Sequence, residues 1–399
     1  MVVTFFRSFY DRSGARWVGL ANYQTLFSTD FLLTALKNNA LWVAVVPAVV
    51  TALGLIFAVL TERVSWSVAF RTIVFMPMAI SLFAAGIIWR IAYEKEPDRG
   101  VLNASIAAVH DVFDPPGRLA GAAPSTNDLR PQSSGALAHR DELSSGDVAV
   151  LGLTQILTDE VPKSAAPASR PAPIATGIRG VVWRDFRPGG GTPGAIEKGE
   201  LGLPDVVVEL RDQRGDIVAG ATTARNGAFT FEDIADGEYV VAIAPESFSE
   251  PFGGISWLGE DLITPAIMVA YTWVWAGFAL VIIAAGLTHL PRELLEAARI
   301  DGANEWQVFR NITVPLLAPV LTVVFVTMLI NVLKVFDIVL AIAPASAQDD
   351  ANVIALAMWR TAFGGARDFG LGSAIAVFLL LLVLPALVLN VRRFRRETG

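Results

Sequence analysis

The sequence predicts an all-α polytopic membrane helix bundle that carries an inserted, extracytoplasmic all-β sandwich domain. Five apolar runs of about 20 residues or more punctuate a chain of 399 residues, 53% of them hydrophobic, and about 20 apolar residues span a bilayer. A long polar stretch, 94–261, separates the second run from the third. That stretch holds 26 acidic and 14 basic residues, so its net charge is −12; since the whole chain is −7, the remainder is +5. A basic membrane part with an acidic insert argues against nucleic-acid binding.

The five predicted spans cover 38–60, 70–93, 262–287, 316–343 and 370–390. The second contains Pro77, which neighbouring helices can accommodate within one span. Trp89 and Tyr93 near its end are typical of the aromatic belt at a membrane surface.

The basic residues predict the orientation. The tail Arg392-Arg393-Phe394-Arg395-Arg396 belongs in the cytoplasm by the positive-inside rule. Alternation then places the turn with Arg63 and Arg71, and the loop with Arg299, on the cytoplasmic side. We therefore expect a multi-pass protein of the bacterial plasma membrane with 94–261 outside the cell.

The insert is predicted to have two parts. Residues 115–173 are rich in Pro, Ala, Ser and Gly, so we expect 94–176 to be a flexible linker. From 177 to 248 short β-branched and aromatic runs alternate with turn pairs such as Asn226-Gly227, which predicts a β-sandwich. The predicted strands are 178–183, 206–210, 217–222, 228–231 and 239–244.

The loop between the third and fourth spans predicts a short helix, a tight turn and a second short helix. Residues 292–300 are good helix formers, and Gly302 can adopt the left-handed conformation that ends a helix. Asn304 and Gln307 have the spacing of a capping box. A protrusion of this kind, with an apolar stripe and a charged flank, suits docking in the groove of another protein.

This loop resembles the coupling loop of the inner-membrane permease subunits of binding-protein-dependent ABC importers. The matching residues are Glu296, Ala297, Ala298, Asp301, Gly302, Ala303, Phe309, Ile312 and Pro315. The resemblance implies the ABC importer permease fold and contact of these residues with separate ABC ATPase subunits. It also implies a second, different permease chain, an extracytoplasmic solute-binding protein and membrane lipid as partners. The structural alternative for the loop is an ordinary amphipathic interfacial helix.

Three further elements resemble the carbohydrate branch of this family, in particular its α-glucoside and oligosaccharide members. They are Val18-Gly19-Leu20-Ala21-Asn22-Tyr23, Lys334-Val335-Phe336-Asp337 and Gly370-Leu371-Gly372-Ser373-Ala374. The first element follows a complete helix in relatives, and we expect that helix to be truncated here. Residues 1–93 would then form the N-terminal part of the permease domain with two full spans, and 249–399 the C-terminal part with three spans.

The segment 177–248 resembles the SdrD B-like repeats of bacterial surface proteins, which have a prealbumin-like fold. Its Gly180-Val181-Val182-Trp183-Arg184-Asp185 run carries much of this resemblance. Some such repeats bind calcium, which requires six to eight oxygen ligands. Asp185 and Glu200 alone are too few, so we predict no metal site.

No arrangement of residues typical of an enzyme active site stands out in this sequence. There is no cysteine, the three histidines lack metal-ligand spacing, and no phosphate-binding Gly-x-x-x-x-Gly-Lys-Ser/Thr motif occurs. We therefore predict no catalytic residues, no cofactor and no enzyme activity, and expect another polypeptide to bind ATP.

Polar and aromatic residues within the spans are candidates for a translocation path. Asn331, Lys334 and Asp337 lie three residues apart in the fourth span, which predicts that they share roughly one helical face. Such a face could line the path or could pack on the partner subunit. Trp273 and Trp275 could stack on sugar rings, although most tryptophans in spans are membrane anchors.

Two other functions compete with carbohydrate import. The first is import of another solute, such as a polyol or glycerol phosphate. The second is surface adhesion, with the β-sandwich as the working part and the spans as its tether.

Overall fold

The computed structural model describes residues 1–62, 64–365 and 367–397, with residues 386–397 described by their backbone alone. The predicted cytoplasmic residue Arg63 and the side chains of the basic tail at 392–396 lie outside this description. The chain forms two compact units, a helical unit of Met1–Asn103 with Ile255–Gly399 and an insert unit of Ala104–Gly254.

Thirteen α-helices occur in the described chain. They are α1 Val2–Arg7, α2 Ala21–Leu26, α3 Asp30–Glu62, α4 Ser67–Phe75, α5 Leu82–Ala92, α6 Val101–Phe113, α7 Ile263–Thr288, α8 Arg292–Ile300, α9 Glu305–Val308, α10 Val314–Leu333, α11 Asp337–Ile342, α12 Ile354–Phe363 and α13 Phe369–Glu397.

Three apolar segments of the described chain are long enough to cross a membrane, namely Asp30–Glu62, Ile263–Thr288 and Glu305–Leu333. They contain most of the first, third and fourth predicted spans. Helix α7 lies at the centre of the helical unit, because most of its side chains are buried against α3, α10 and α11. A Cβ atom at Gly54 of α3 would overlap the Cβ of Ala279, so this glycine allows α3 and α7 to cross closely.

The second predicted span is not a continuous helix. Helices α4 and α5 are bent by 102° relative to each other, with the 3₁₀ turn Met76–Ala79 between them. The side chain of Ser81 accepts a hydrogen bond from the Ala84 N–H at 3.1 Å and so caps a new helix. Pro77 lies in the turn at this bend, and the expectation that 70–93 crosses the membrane as one span interrupted by Pro77 stays a prediction.

The fourth predicted span is also broken. Helix α10 ends at Leu333, and α11 begins at Asp337 after Phe336, whose backbone angles are φ −149° and ψ −63°. These angles are not helical, so the chain changes direction between the two helices.

The insert unit is built on ten strands. They are β1 Ala123–Pro124, β2 Leu129–Pro131, β3 Leu137–His139, β4 Val148–Thr154, β5 Gly177–Arg184, β6 Leu201–Gly202, β7 Val207–Arg211, β8 Ile217–Thr222, β9 Ala228–Glu232 and β10 Val240–Ile243. One sheet has the order β1-β4-β5-β6, with β9 also paired to β5, and the other has the order β2-β3-β10-β7-β8. A shared apolar core includes Leu151, Val182, Leu210 and Phe231. The five strands predicted after residue 177 correspond to β5 and β7–β10.

The region predicted to be a flexible linker is structured. It contains α6 and strands β1–β4, and β4 pairs in parallel with β5 from Val148↔Arg179 to Leu153↔Arg184. Leu151 and Leu153 of β4 are fully buried. The high Pro and Ala content suggested disorder. The apolar strand β4 and the short strands β1–β3 nevertheless complete the two sheets.

The chain leaves and re-enters the helical unit at one point. The buried Asn103 side chain donates hydrogen bonds to the carbonyls of Glu94, Lys95 and Ile255, at 2.9–3.0 Å. Its Oδ1 accepts from the Ile255 N–H at 2.9 Å and from Trp257 Nε1 at 3.2 Å. One carboxamide thus joins the two ends of the helical unit between which the insert lies.

Candidate functional site

The loop after α7 forms a helical elbow, which we define as α8, the turn at 301–304 and α9. Helix α8 ends in a paired C-terminal motif, because the Gly302 N–H bonds to the Arg299 carbonyl at 3.1 Å and the Ala303 N–H to the Ala298 carbonyl at 3.0 Å. Gly302 has φ +86°, the left-handed conformation that the sequence predicted. The turn therefore depends on a residue that adopts this conformation at little cost.

Helix α9 begins with the predicted capping box. The Gln307 N–H donates to Asn304 Oδ1 at 2.9 Å, and the Asn304 N–H donates to Gln307 Oε1 at 2.8 Å. Arg299 of α8 reaches across the turn to Glu305 of α9, with Nε and Oε1 3.0 Å apart. The cap thus defines the start of α9, and this exposed ion pair joins the two short helices.

The helical elbow exposes an unusual amount of apolar surface. No side chain of α8 is buried, and the exposed fractions are 47% for Leu294, 86% for Ile300 and 65% for Trp306. The ring of Trp306 lies 5.5 Å from that of the half-buried Phe309. Surface of this kind marks a protein or membrane contact.

Some residues of the sequence motif are exposed on this surface, and others are half-buried. Glu296, Ala297, Asp301 and Gly302 are exposed, whereas Ala298 and Ala303 are half-buried beneath the turn. Ile312 lies half-buried in the wide helical turn Phe309–Thr313, and the exposed Pro315 lies in the first turn of α10.

A cleft of about 590 Å³ opens between the helical elbow and the end of α3. Its walls include Leu60 and Glu62 of α3, Leu295 and Glu296 of α8, and Phe309. Carboxylates, guanidinium groups and apolar side chains line it together, so it can receive a protein side chain or helix end of mixed polarity.

The candidate path residues do not share a helical face. Asn331 is half-buried in α10, whereas Lys334 lies in the break and Asp337 begins α11, both exposed. Among the ion pairs of the described residues, none joins Lys334 to Asp337. The prediction of one face was wrong because it assumed a continuous helix.

The two candidate tryptophans of α7 differ in their surroundings. Trp273 is 38% exposed, and its ring meets that of Trp89 edge-on at 5.7 Å. Trp275 packs between Tyr271 and Phe278, at 5.9 and 5.7 Å, and its buried Nε1 has no hydrogen-bond acceptor among the described residues. Trp273 is therefore the more available of the two for stacking on a solute.

Two adjacent asparagines of α3 join distant segments of the helical unit, a role that the sequence reasoning missed. Asn38 Nδ2 donates to the carbonyls of Asp350 and Asn352, at 2.7 and 2.8 Å. The Asn39 side chain contacts Leu333 and Ile354, at the break after α10 and at the start of α12. The signal was present, because two adjacent amides at the start of an apolar run need partners inside a membrane protein.

The carboxylates considered for calcium serve the protein's own loops. Asp185 accepts a hydrogen bond from the Gly194 N–H, and Glu200 accepts one from the Glu197 N–H at 2.8 Å. No cluster of three or more metal-ligating side chains occurs in the part of the chain that the structure describes. The prediction that the insert binds no metal stays a prediction.

Two family models match parts of the chain. Residues 226–396 match the family described as "Binding-protein-dependent transport system inner membrane component", and residues 177–251 match the SdrD B-like domain.

Three curated relatives are similar in sequence to this chain. The osmoprotective compounds uptake permease protein GgtC of Synechocystis is 27% identical over 99% of this chain and 91% of its own length. The alpha-glucoside transport system permease protein AglF of Rhizobium meliloti is 28% identical over 98% of this chain and 76% of its own. The putative ABC transporter permease protein ORF1 of Caldicellulosiruptor is 31% identical over 30% of this chain and 86% of its own length.

A solved structure shares the fold. One chain of a bacterial ABC transporter involved in the import of the acidic polysaccharide alginate superposes with a TM-score of 0.55 at 15% identity. The match covers 98% of this chain and 88% of that one.

Proposed function

Since the chain belongs to the family of inner-membrane components of binding-protein-dependent transport systems, we propose that it is the permease subunit of an ATP-driven importer of carbohydrates. It is a multi-pass protein of the inner membrane and is not itself an enzyme. The observation that carries the proposal is the helical elbow, a rigid apolar protrusion between two membrane segments with the residue pattern of a coupling loop.

The helical elbow would be the contact with the ATPase subunits. Its exposed Leu294, Ile300 and Trp306 offer an apolar face, and the ion pair between Arg299 and Glu305 stiffens the angle on which that face is presented. Glu296 and Asp301 orient the loop at its contact, and Ala297, Ala298 and Ala303 allow close packing. Phe309, Ile312 and Pro315 connect the loop to α10, so a displacement of the elbow reaches that helix.

The orientation follows from charge. We propose that the helical elbow and the C-terminus are cytoplasmic, because the positive-inside rule favours that side for their basic residues. The insert then lies outside the cell with the extracytoplasmic solute-binding protein. Alternating access by this chain and a second, different permease chain would carry the solute between the two sides.

We propose an oligosaccharide of the α-glucoside type as the solute. AglF is named for alpha-glucoside transport, and other relatives are named for trehalose/maltose and diacetylchitobiose. The exposed face of Trp273 supports stacking on a sugar ring, while Lys334 and Asp337 supply polar groups beside the broken helix. Because GgtC is named for osmoprotective compounds, a small polyol is the competing solute.

A co-purification experiment tests the function. The chain is tagged and extracted in mild detergent from its native membrane, and its partners are identified by mass spectrometry and ATPase assay. An importer subunit brings down a nucleotide-hydrolysing protein, and uptake of labelled maltose, trehalose and glycerol phosphate in a strain without the chain then identifies the solute. Recovery of envelope or cell-wall components without an ATPase would instead establish the adhesion function.

A further inference from the structure

The break between α10 and α11 leaves backbone groups that need partners. In a continuous helix the Leu333 carbonyl would accept a hydrogen bond from the N–H of Asp337, four residues later. Here the helix ends at Leu333, and Val335 bonds back to Val332 at 3.1 Å. Inside an apolar environment an unpaired carbonyl is costly, so the break requires another donor.

Asn39 of α3 supplies that donor. Its Nδ2 lies 3.4 Å from the Leu333 carbonyl oxygen, the acceptor that the Asp337 N–H would use in a continuous helix. Its Oδ1 accepts a hydrogen bond of 2.7 Å from the N–H of Ile354, the first residue of α12. Val353 precedes that helix and cannot cap it with its own side chain. The two bonds use both ends of the carboxamide and fix its orientation.

The surroundings of Asn39 strengthen these bonds. The residue is 3% exposed, and among the described residues it is the only polar one that lines a cleft of about 520 Å³ between α3, α10 and α13. The other described walls of this cleft are apolar, among them Val43, Phe325 and Phe378. Groups that are screened from water have few other hydrogen-bond partners. Loss of the Asn39 bond therefore strongly favours pairing of the Leu333 carbonyl with another backbone N–H.

We propose that Asn39 is a positioning residue for the translocation path: by replacing the Asp337 N–H as donor to Leu333, it holds α10 broken and so sets where Lys334 and Asp337 lie. The importance of those two side chains rests on the proposed function, whereas the effect of Asn39 on the backbone does not. Without the Asn39 donor, the Asp337 N–H is available to bond the Leu333 carbonyl, and α10 extends through the break.

The neighbouring Asn38 provides a matched control. It lies on the same helix and also makes two hydrogen bonds, but these tie the carbonyls of Asp350 and Asn352, beyond the break. Replacing either residue with Leu removes two side-chain hydrogen bonds from the same turn of α3. Only Asn39→Leu frees the Leu333 carbonyl.

Hydrogen–deuterium exchange on the assembled transporter tests the proposal. In Asn39→Leu we expect the amides of residues 334–337 to exchange about five- to tenfold more slowly, because a lost hydrogen bond of ordinary strength shifts a two-state ratio by that factor. In Asn38→Leu the same amides should exchange at the wild-type rate. If Asn39 merely supported the fold, its loss would loosen the segment, so faster or unchanged exchange in Asn39→Leu would overturn the proposal.

Uptake kinetics separate this proposal from the proposed function. If both hold, Asn39→Leu raises the KM for uptake about five- to tenfold, and Asn38→Leu leaves it within about twofold. Slower exchange in a chain that transports no carbohydrate would sustain the role of Asn39 and refute the carbohydrate importer. Normal KM together with unchanged exchange would refute the role of Asn39 alone.

Discussion

At the scale of single residues, Gly302 is the position on which the helical elbow depends most. Its φ of +86° lies in the left-handed region, and no atom of the described residues lies within 4 Å of the place where a Cβ would stand. A substitution there therefore meets no steric clash, and its cost comes from backbone conformation and charge.

This geometry suggests two variants of Gly302 that have nearly the same shape and differ in charge. We expect Gly302→Asp to remain in the membrane but to abolish uptake, because it adds a second carboxylate beside Asp301 at the negative end of the α8 dipole. Gly302→Asn has nearly the same shape without the charge and tolerates the left-handed conformation, so most uptake should remain. Uptake assays on both variants, with membrane content measured by immunoblot, check this. Normal uptake by the aspartate variant would be incompatible with a coupling role.

A second residue-scale prediction concerns the insert. A hydrogen bond shared with Glu238 raises the pKa of the Glu142 carboxyl, and desolvation and charge repulsion add to it. The raised pKa means that the folded state binds this proton more tightly than the unfolded state does. The resulting stability is present below the ordinary glutamate pKa and is lost as the pH rises through the raised value.

Glu142→Gln should remove this dependence, since an amide can donate to Glu238 at every pH. We expect a higher melting temperature of the insert unit at pH 7 and no gain near pH 4, measured by thermal unfolding. Glu250→Gln changes an exposed carboxylate elsewhere in the insert unit and is the control. An equal gain in both variants would show that general charge reduction, and not the Glu142–Glu238 contact, is responsible.

At the scale of helices and strands, the elements that were predicted are those whose own residues carry a signal. The signal is a cap, a turn residue or a hydrophobic period. The helical elbow was predicted in detail, because Gly302, Asn304 and Gln307 each encode a specific turn or cap. The spans α3 and α7 and the strands after residue 177 were predicted because their hydrophobic patterns are long or are bounded by clear turn pairs.

The two broken helices could not be predicted from hydropathy. Val332, Leu333 and Val335 are as apolar as the rest of the fourth run, and the donor that ends the helix lies on α3, almost 300 residues away in sequence. The bend before α5 did have a local signal, namely Ser81 in a capping position after Pro77. Strands β1–β3 lacked a signal, since two or three residues cannot show periodicity.

Helix packing provides a prediction at this scale. A Cβ at Gly277 of α7 would overlap the carbonyl oxygen of Val74, so α4 approaches α7 through this glycine. Gly277→Leu should destabilise the helical unit by about 3 kcal/mol, the upper range for overpacking. Ala285→Leu introduces the same side chain at an exposed position of α7 and should have little effect. Thermal unfolding in detergent compares the two, and equal stability would show that α4 can move away freely.

At the scale of the whole molecule, the insert has the character of a self-contained addition. Its ends meet, because the Gly117 N–H donates to the Ser249 carbonyl at 2.8 Å. Within the helical unit, Asn103 joins both flanking segments independently of the strands. The insert unit also has an apolar core of its own.

Removal of 118–248, with a short Gly-Ser bridge between Gly117 and Ser249, should therefore leave the helical unit folded. We expect the shortened chain to co-purify with the ATPase at the wild-type ratio, because the helical elbow is untouched. Loss of the chain from the membrane would show that the helical unit needs the insert to fold. Full membrane content without ATPase would show that the insert contributes to assembly.

The most direct test concerns the side of the membrane on which the helical elbow lies. Because the chain has no cysteine, Ile300→Cys, at a position 86% exposed in the elbow, and Ile217→Cys, at a position 59% exposed in the insert, each introduce one label site. An impermeant maleimide added to sealed cells should label Ile217→Cys alone. In inside-out vesicles without bound ATPase, the maleimide should label Ile300→Cys alone. Bound ATPase should protect Ile300→Cys from this labelling. Labelling of Ile300→Cys from outside sealed cells would contradict the cytoplasmic coupling loop and the importer function with it.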